Sequence, residues 1–404
     1  MLARRRIDLW LLGLAGIMFP LYLPGPVGLA SFFAICGLYV VFSNRRRAWH
    51  YAASAYGVVV LYCAWSLSLI ILRGEVEPGN RQFGFMLLLF GATFIGPGLC
   101  LVRRPLRTLV IGTRIGTCAA FLVALGLLLY HGHDLERYSG GGNAAIVALL
   151  VLLGALVATI RLDQPPRFLP NGLQYMALAS FPIFLTETRA VLVLVPVLFV
   201  AEFFFWSLGW RPRIRNRSYA GMLLGMAVLL FLPPVQDMIS DRFYSVYEYY
   251  VAGANNYNME SGDIRLTMWV SALAVIKQHP LTGVGLMDMF ALMKVEAGSH
   301  AGMIEGFKHV HNFVLQELLA NGVVGLVLLC AIPTAFLLTV LRQTLHRSIQ
   351  RCGLYFYGSV AMFGLLHDPF YHELCLATSM LFFGCCMAQF RRWNMLTPAA
   401  ARKV

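Results

Sequence analysis

Residues 263–321 read DIRLTMWVSALAVIKQHPLTGVGLMDMFALMKVEAGSHAGMIEGFKHVHNFVLQELLAN. They decide the fold because they belong to the one long region too polar to lie in lipid, set between segments that are almost wholly apolar. Arg265 and Trp269, four residues apart, open an amphipathic run that stops at His279-Pro280. Gly283-Val284-Gly285 then marks a tight turn. His309, His311 and Asn312 start a new apolar helix, which carries Glu317 and the pair Asn321-Gly322 before it turns wholly hydrophobic.

Outward from this stretch the chain suits lipid. Its 404 residues are 59% hydrophobic and 13% charged, with a mean hydropathy of +0.69. Soluble domains are about 45–50% apolar and about 25% charged. The composition specifies a polytopic membrane protein with room for about a dozen spans, since each needs ~20 apolar residues to cross a hydrocarbon core of ~30 Å. A net charge of +13 would point to nucleic acid in a soluble protein. Here the basic residues sit in short clusters between hydrophobic runs, the signature of the positive-inside rule, so no nucleic-acid partner is expected. The nine cysteines lie in or at the ends of apolar runs and none falls in the long polar loop, which supports neither a disulfide framework nor a thiolate metal site. The opening MLARRR imitates a signal peptide but lacks a small-x-small cleavage site ahead of Pro24-Gly25-Pro26, so an uncleaved first helix is expected.

Alternation of apolar runs and polar breaks predicts twelve spans, near 8–23, 25–43, 51–72, 83–102, 108–130, 143–160, 168–186, 190–209, 218–236, 313–341, 353–367 and 374–390. Three regions follow: helices one to nine over 1–236, a loop domain over 237–312, and three further helices with a tail over 313–404. Placing Arg4-Arg5-Arg6 in the cytoplasm puts 22 of the 32 Lys and Arg on that side and nine on the other, with Arg114 inside a span. Both termini are then cytoplasmic and the long loop lies outside. Five of the nine outer cations (Arg242, Arg265, Lys277, Lys294, Lys308) belong to that loop, and Arg189 stands alone in Thr186-Glu187-Thr188-Arg189. The loop has helical apolar spacing in residues 241–250, around Trp269 and in residues 286–295, so it is expected to fold as short helices on the outer membrane face. Gly140-Gly141-Gly142-Asn143 is a break that lets backbone approach something closely.

The order Arg265, Trp269, His279-Pro280, Gly283-Val284-Gly285, His311-Asn312, Glu317, Asn321-Gly322 resembles the hallmark of the O-antigen ligase and polymerase superfamily of bacterial membrane glycosyltransferases. Arg189 and Asn143 give weaker support, and Thr188 stands where Ser is usual in that family's Thr-x-Ser-Arg motif. The resemblance implies an all-α polytopic membrane protein, about twelve transmembrane helices with one long helical periplasmic loop, like the membrane-integral glycosyltransferases of the C type. It also implies transfer of a glycan from an undecaprenyl-pyrophosphate carrier at the periplasmic face of the bacterial inner membrane. Ligases place O-antigen on lipid A-core, polymerases lengthen the glycan, and a third branch glycosylates proteins. A single outer loop of about 75 residues ending in the His-Asn pair suits the ligase branch.

Each candidate residue has a plainer alternative. Arg189 could snorkel to lipid headgroups, and Arg265 could pair with Asp263 or Glu260 on a solvated helix face. Two arginines on one side of the membrane suit a pyrophosphate, because the guanidinium forks onto phosphate oxygens and keeps its charge. His311, with Asn312 beside it, is the expected general base, and its alternative is a histidine capping a helix. On a helix the two-residue spacing turns His309 away from His311. Asn312, Glu187, Trp269, Asn143, His309 and His372 are the expected substrate contacts; Asp368-Pro369 and His372-Glu373 could bind sugar or simply close a turn. His300, Glu305 and His309 lack the helical two-His spacing of zinc proteases, so no metal is expected. No cofactor is expected either: Gly283-Val284-Gly285 follows a helix and is not a dinucleotide fingerprint, and no Walker A pattern is present. A transporter is the rival class, but transporters place charged sites near the bilayer midplane, whereas the ionisable residues here gather at one face.

Overall fold

The computed structural model describes residues 2–43, 53–77, 79–132, 137–230, 236, 262–343 and 346–396. Among them every regular element is helical. The helices are α1 (Leu2–Met18), α2 (Gly25–Ser43), α3 (Ala53–Leu72), α4 (Arg81–Ala92), α5 (Ile95–Leu99), α6 (Pro105–His131), α7 (Ala144–Ala158) and α8 (Gln174–Leu185). They continue with α9 (Arg189–Ser207), α10 (Pro212–Leu230), α11 (Gly262–Gln278), α12 (Met289–Ala297), α13 (Phe313–Gln343), α14 (Arg347–Gly364) and α15 (Glu373–Leu396). Each of the twelve apolar runs therefore carries helix, the fourth as the pair α4 and α5. Among the described residues seven stretches are long and apolar enough to cross a membrane: those in α2, α3, α4 with α5, α6, α9, α13 and α15. Trp10–Leu21, Ala144–Ala158 and Gln174–Leu185 are apolar but shorter. The basic cluster 45–47, the aromatic stretch 241–250, Arg242, Glu260 and the tail cations Arg402 and Lys403 lie outside the described residues.

The chain divides into two compact units, Met1–Leu198 with Thr267–Val404, and Phe199–Leu266. At the centre of the first stands α7, whose sequence AAIVALLVLLGALVA is apolar on every face, and all of whose side chains are buried. A helix without a polar face gains nothing from solvent and takes the middle of the bundle; α6, α8 and α14 surround it. Its C-terminal carbonyls are met by Arg114 of α6, a fully buried guanidinium that donates to Ala158 O (2.9 Å), Ile160 O (2.9 Å), Leu169 O (2.8 Å) and Asn171 Oδ1 (2.8 Å). The cation inside a span is thus a helix-end cap. In the second unit Ser207 and Tyr219 join α9 to α10 by a hydroxyl hydrogen bond of 2.7 Å.

The element that positions the candidate site is α13, which packs along α3. It is broken at Gly322, whose φ of 69° and ψ of −169° are not helical. A break strands carbonyls that the next turn would have used, and in an apolar bundle each unpaired carbonyl is costly. The 279–286 loop and α3 supply the partners. Val284 N and Gly285 N donate to Leu319 O (2.7 and 3.1 Å), Arg73 Nη1 to Ala320 O (3.1 Å) and Trp65 Nε1 to Asn321 O (3.1 Å), while Val323 N donates to Pro280 O (2.9 Å). The Gly-Val-Gly turn is therefore a backbone clamp on a broken helix, and its two amides are its function in the fold.

A side chain at 322 would strike the Leu281 carbonyl and would also have to hold a left-handed φ. Gly322→Ala is expected to cost about 1–3 kcal/mol or more, and to lower the thermal midpoint of the purified protein by several degrees. Gly126→Ala, in open space on α6, is the matched control and should leave the midpoint unchanged or raise it slightly. Equal midpoints for the two variants would show that the break is not structurally required.

Candidate active site

Three stretches distant in sequence meet in the first unit: residues 307–317, the turn 365–372 between α14 and α15, and the start of α4 with the facing part of α3. Residues 309–312 are not helical, since α13 begins only at Phe313 and His311 has a φ of 55°. The spacing argument that turned His309 away from His311 assumed a helix there, and the structure replaces it with an irregular segment laid along the 365–372 turn. His309 Nδ1 stands 3.3 Å from Asp368 Oδ2. The His311 ring lies edge-on to His367 at 6.0 Å, Asn312 Nδ2 donates to Leu365 O (3.1 Å), and Phe313 packs on Phe370 at 5.1 Å. Two bonds hold the middle of the segment: Trp269 Nε1 donates to Val310 O (3.1 Å) and Val310 N to Gln316 Oε1 (2.9 Å). Trp269 is thereby a residue that positions both histidines.

Below this segment lies a polar network. Glu317 is fully buried and its carboxylate accepts from Tyr371 Oη (2.7 Å), Tyr62 Oη (3.2 Å) and Asn321 Nδ2 (2.8 Å). Asn321 Oδ1 accepts from Gln82 Nε2 (2.7 Å), and Gln82 Oε1 accepts from Leu286 N (3.2 Å), which ties α4 to the 279–286 loop. A buried carboxylate is tolerable only when its lone pairs are met, and three donors meet them here. Arg81, the first residue of α4, donates from Nη2 to His309 Nε2 (3.2 Å). That bond requires a lone pair on Nε2 and so places the proton of a neutral His309 on Nδ1, toward Asp368. Burial pushes the Asp368 carboxyl above the usual range, with the His309 imidazole opposing, and burial holds His372 below the usual histidine value.

The other expected site residues are spread along the same unit, except for Arg265. The Thr186–Arg189 turn is pinned by Arg137, whose Nε donates to Thr186 O and whose Nη2 donates to Thr188 Oγ1 (3.3 Å). Glu187 takes a left-handed φ of 53° and, like Arg189, is exposed. A groove of about 430 Å³ is lined by Leu21, Leu23, Val123 and Leu127 together with Tyr138 and the same Arg137 that pins this turn. Asn143 caps α7 by accepting from Ala145 N (3.0 Å), and Asn312 caps α13 by accepting from Val314 N (2.9 Å) and Leu315 N (3.2 Å). Both asparagines therefore have a structural task. Tyr22, which packs beside Gly142, reaches His372 at 6.2 Å between ring centroids and so links the Gly-rich break to the 365–372 turn. Arg265 lies in the first turns of α11, within the 199–266 unit. Of the three side chains weighed as metal ligands, Glu305 pairs with Lys294 (3.2 Å) and His309 faces Asp368.

Sequence reasoning did not single out Tyr62, Arg73, Arg81, Gln82 or Tyr371. Their partners lie in remote parts of the chain, and only the departure of Arg73 and Arg81 from the positive-inside bias marked either of them. Residues 174–330 match the family model described as O-Antigen ligase, a stretch that runs from the start of α8 past the break in α13. No curated protein matches the chain.

The raised Asp368 carboxyl has a signed consequence. The folded state holds a proton there more tightly than the unfolded chain, so this group's contribution to stability is full below the ordinary carboxylate range and falls as pH rises through it. Asp368→Asn removes the charge. Its thermal midpoint relative to wild type is expected to rise between about pH 4 and about pH 7; a difference that stays flat or falls would contradict the burial account.

Proposed function

We propose that the chain, which its match over residues 174–330 supports as a member of the O-antigen ligase and polymerase superfamily, is the ligase, joining O-polysaccharide from an undecaprenyl-pyrophosphate donor to lipid A-core at the periplasmic face of the inner membrane. It is a multi-pass membrane protein. The observation that carries the reading is the family match over the segment that holds Arg189, Arg265 and His311. The single long polar region that ends in His311-Asn312 favours the ligase over the polymerase.

The donor is a lipid whose pyrophosphate sits at headgroup level, where a guanidinium forks onto phosphate oxygens; that task is given to Arg189 and, by the family resemblance alone, to Arg265. The apolar lining of the groove that includes Arg137 suits a prenyl chain. His311 takes the proton of the acceptor hydroxyl as that oxygen bonds to the anomeric carbon. The bond from that carbon to the pyrophosphate oxygen breaks, and undecaprenyl pyrophosphate leaves with the electron pair, its charge met by the arginines. One displacement inverts the anomeric configuration. The buried Glu317 network, a feature that transporters also show, lies only about 6 Å along α13 from its start at 1.5 Å per residue, away from the middle of a span.

Reconstitution with lipid-linked O-antigen and lipid A-core is expected to yield a ladder of joined product without any ion gradient. Lengthened donor with no joined acceptor would make the protein a polymerase, and glycosylated protein would place it in the third branch. Arg189→Ala, Arg265→Ala and His311→Ala are each expected to lose roughly a hundredfold or more in transfer while remaining inserted, with Lys restoring little at either arginine. Wild-type turnover in His311→Ala would move the base elsewhere. For topology, a cysteine at Ser299 is expected to react with an impermeant thiol reagent in intact cells, and one at Asp163 is not. Reaction at position 163 from outside would overturn the orientation.

A further inference from the structure

A cleft of about 160 Å³ lies between the start of α4, the 286–289 stretch and the segment before α13. Arg81, Lys308, His309 and Gln316 line it together with Met287 and Met289. Arg81 and Lys308 are exposed and, among the described residues, neither pairs with a carboxylate; Arg81 donates instead to His309 Nε2. Gln316 is 1% exposed, its oxygen is committed to Val310 N, and among the described residues its amide N–H groups have only a sulfur acceptor, Met289 Sδ at 3.6 Å. The acceptor on the cleft wall, His309 Nε2, is already occupied by Arg81. The Tyr371 hydroxyl is spent on Glu317. The cleft therefore offers two cations and an under-used buried amide, all donors, and no free carboxylate.

Such a wall fits a compact anion rich in acceptor oxygens. We propose that the cleft of Arg81, Lys308 and Gln316 binds a phosphate group of a lipid-borne substrate, with the Asp368–His309 contact as its rear support. Arg81 keeps one N–H on His309 Nε2 and has four others for phosphate oxygens. Lys308 adds a point charge, and Gln316 adds a neutral donor from the floor. Asp368 is buried with neither carboxylate oxygen hydrogen-bonded among the described residues, and its nearest charge partner is His309 Nδ1. Asp368 Oδ2 and Arg81 Nη2 thus approach the two ring nitrogens of His309. Lys308 and Gln316 fall within the matched residues 174–330, whereas Arg81 and the supporting Asp368 fall outside them. The methionines in the lining suit an amphiphile better than free phosphate. The phosphate can come from the donor's pyrophosphate or from a phosphorylated acceptor, and this choice of substrate rests on the transferase reading above.

Binding of inorganic pyrophosphate tests the cleft apart from that reading. It is measured by thermal shift on full-length protein in an Arg189→Ala/Arg265→Ala background, which removes the cations assigned to the donor. Pyrophosphate is expected to stabilise this background, and added Arg81→Gln/Lys308→Gln is expected to weaken its binding by about tenfold or more. Arg81→Lys should keep part of it. Lys308→Gln alone, on an exposed side chain, carries the same test where the double change prevents folding. Undiminished binding in the Gln variants overturns the proposal. In the otherwise wild-type enzyme with lipid substrates, Arg81→Gln/Lys308→Gln should raise one KM about tenfold. If the acceptor KM rises, and only when the acceptor bears phosphate, the acceptor is the source; if the donor KM rises, the source is the donor pyrophosphate. Neither KM moving overturns the proposal as well. A wild type that transfers nothing would sink the transferase reading while the pyrophosphate measurement still decides the cleft.

Discussion

The carbonyls stranded by the break at Gly322 are the constraint on which the described first unit depends. In an apolar bundle they cannot turn to water, so donors must be brought to them, and each donor drags its own element into place. Val284 and Gly285 bring the 279–286 loop onto α13, Trp65 fixes α3 against it, and Arg73 spans the two by also donating to Thr282 O (2.6 Å). Once the loop is docked, Leu286 N meets Gln82, and Gln82 meets Asn321 one residue before the break. The site-bearing segment is thus hung from a backbone defect and not from apolar contact alone, which gives it a fixed register.

The same economy of donors explains why the two histidines are held so differently. Val310 between them is bonded on both sides, so the backbone there cannot drift, and the side chains are left to find separate partners on the 365–372 turn. His309 finds a carboxylate and a guanidinium, while His311 meets the His367 and Phe307 rings. A positive φ at His311, which is rare outside glycine, lets a residue so close to a helix start point away from the helix's own face. Strain of this kind persists only where surrounding bonds over-determine it, and the caps at Asn312 together with the Trp269 bond do so here.

Much of the architecture was legible because membrane helices announce themselves locally: length and hydropathy within a run suffice, and each apolar run does carry helix. The hallmark letters were legible too, but not their tasks. Gly283-Val284-Gly285 read as a bare turn, since the carbonyl it serves lies at Leu319. Asn143 and Asn312 read as substrate contacts, although both precede helices and a capping role was open to them from position alone. The spacing of His309 and His311 misled because helical geometry was extended back across residues that precede the helix. Glu317 was visible, but its donors Tyr62 and Tyr371 lie 255 and 54 residues away in sequence, and no periodicity reports such a pairing. Arg81 was hidden among outer cations for the same reason.

Asp368 shows how these layers conflict. A carboxyl group that is buried and raised is a burden on stability near neutral pH, where the folded protein must either hold it charged or protonate it. An asparagine would lack that charge. What the carboxylate supplies and the amide does not is a negative charge behind His309, which favours the Nδ1–H form and opposes the charge of Arg81 on the other side of the ring. The ring thus stands between a buried carboxyl group and a guanidinium, at the edge of a cleft that Lys308 lines as well.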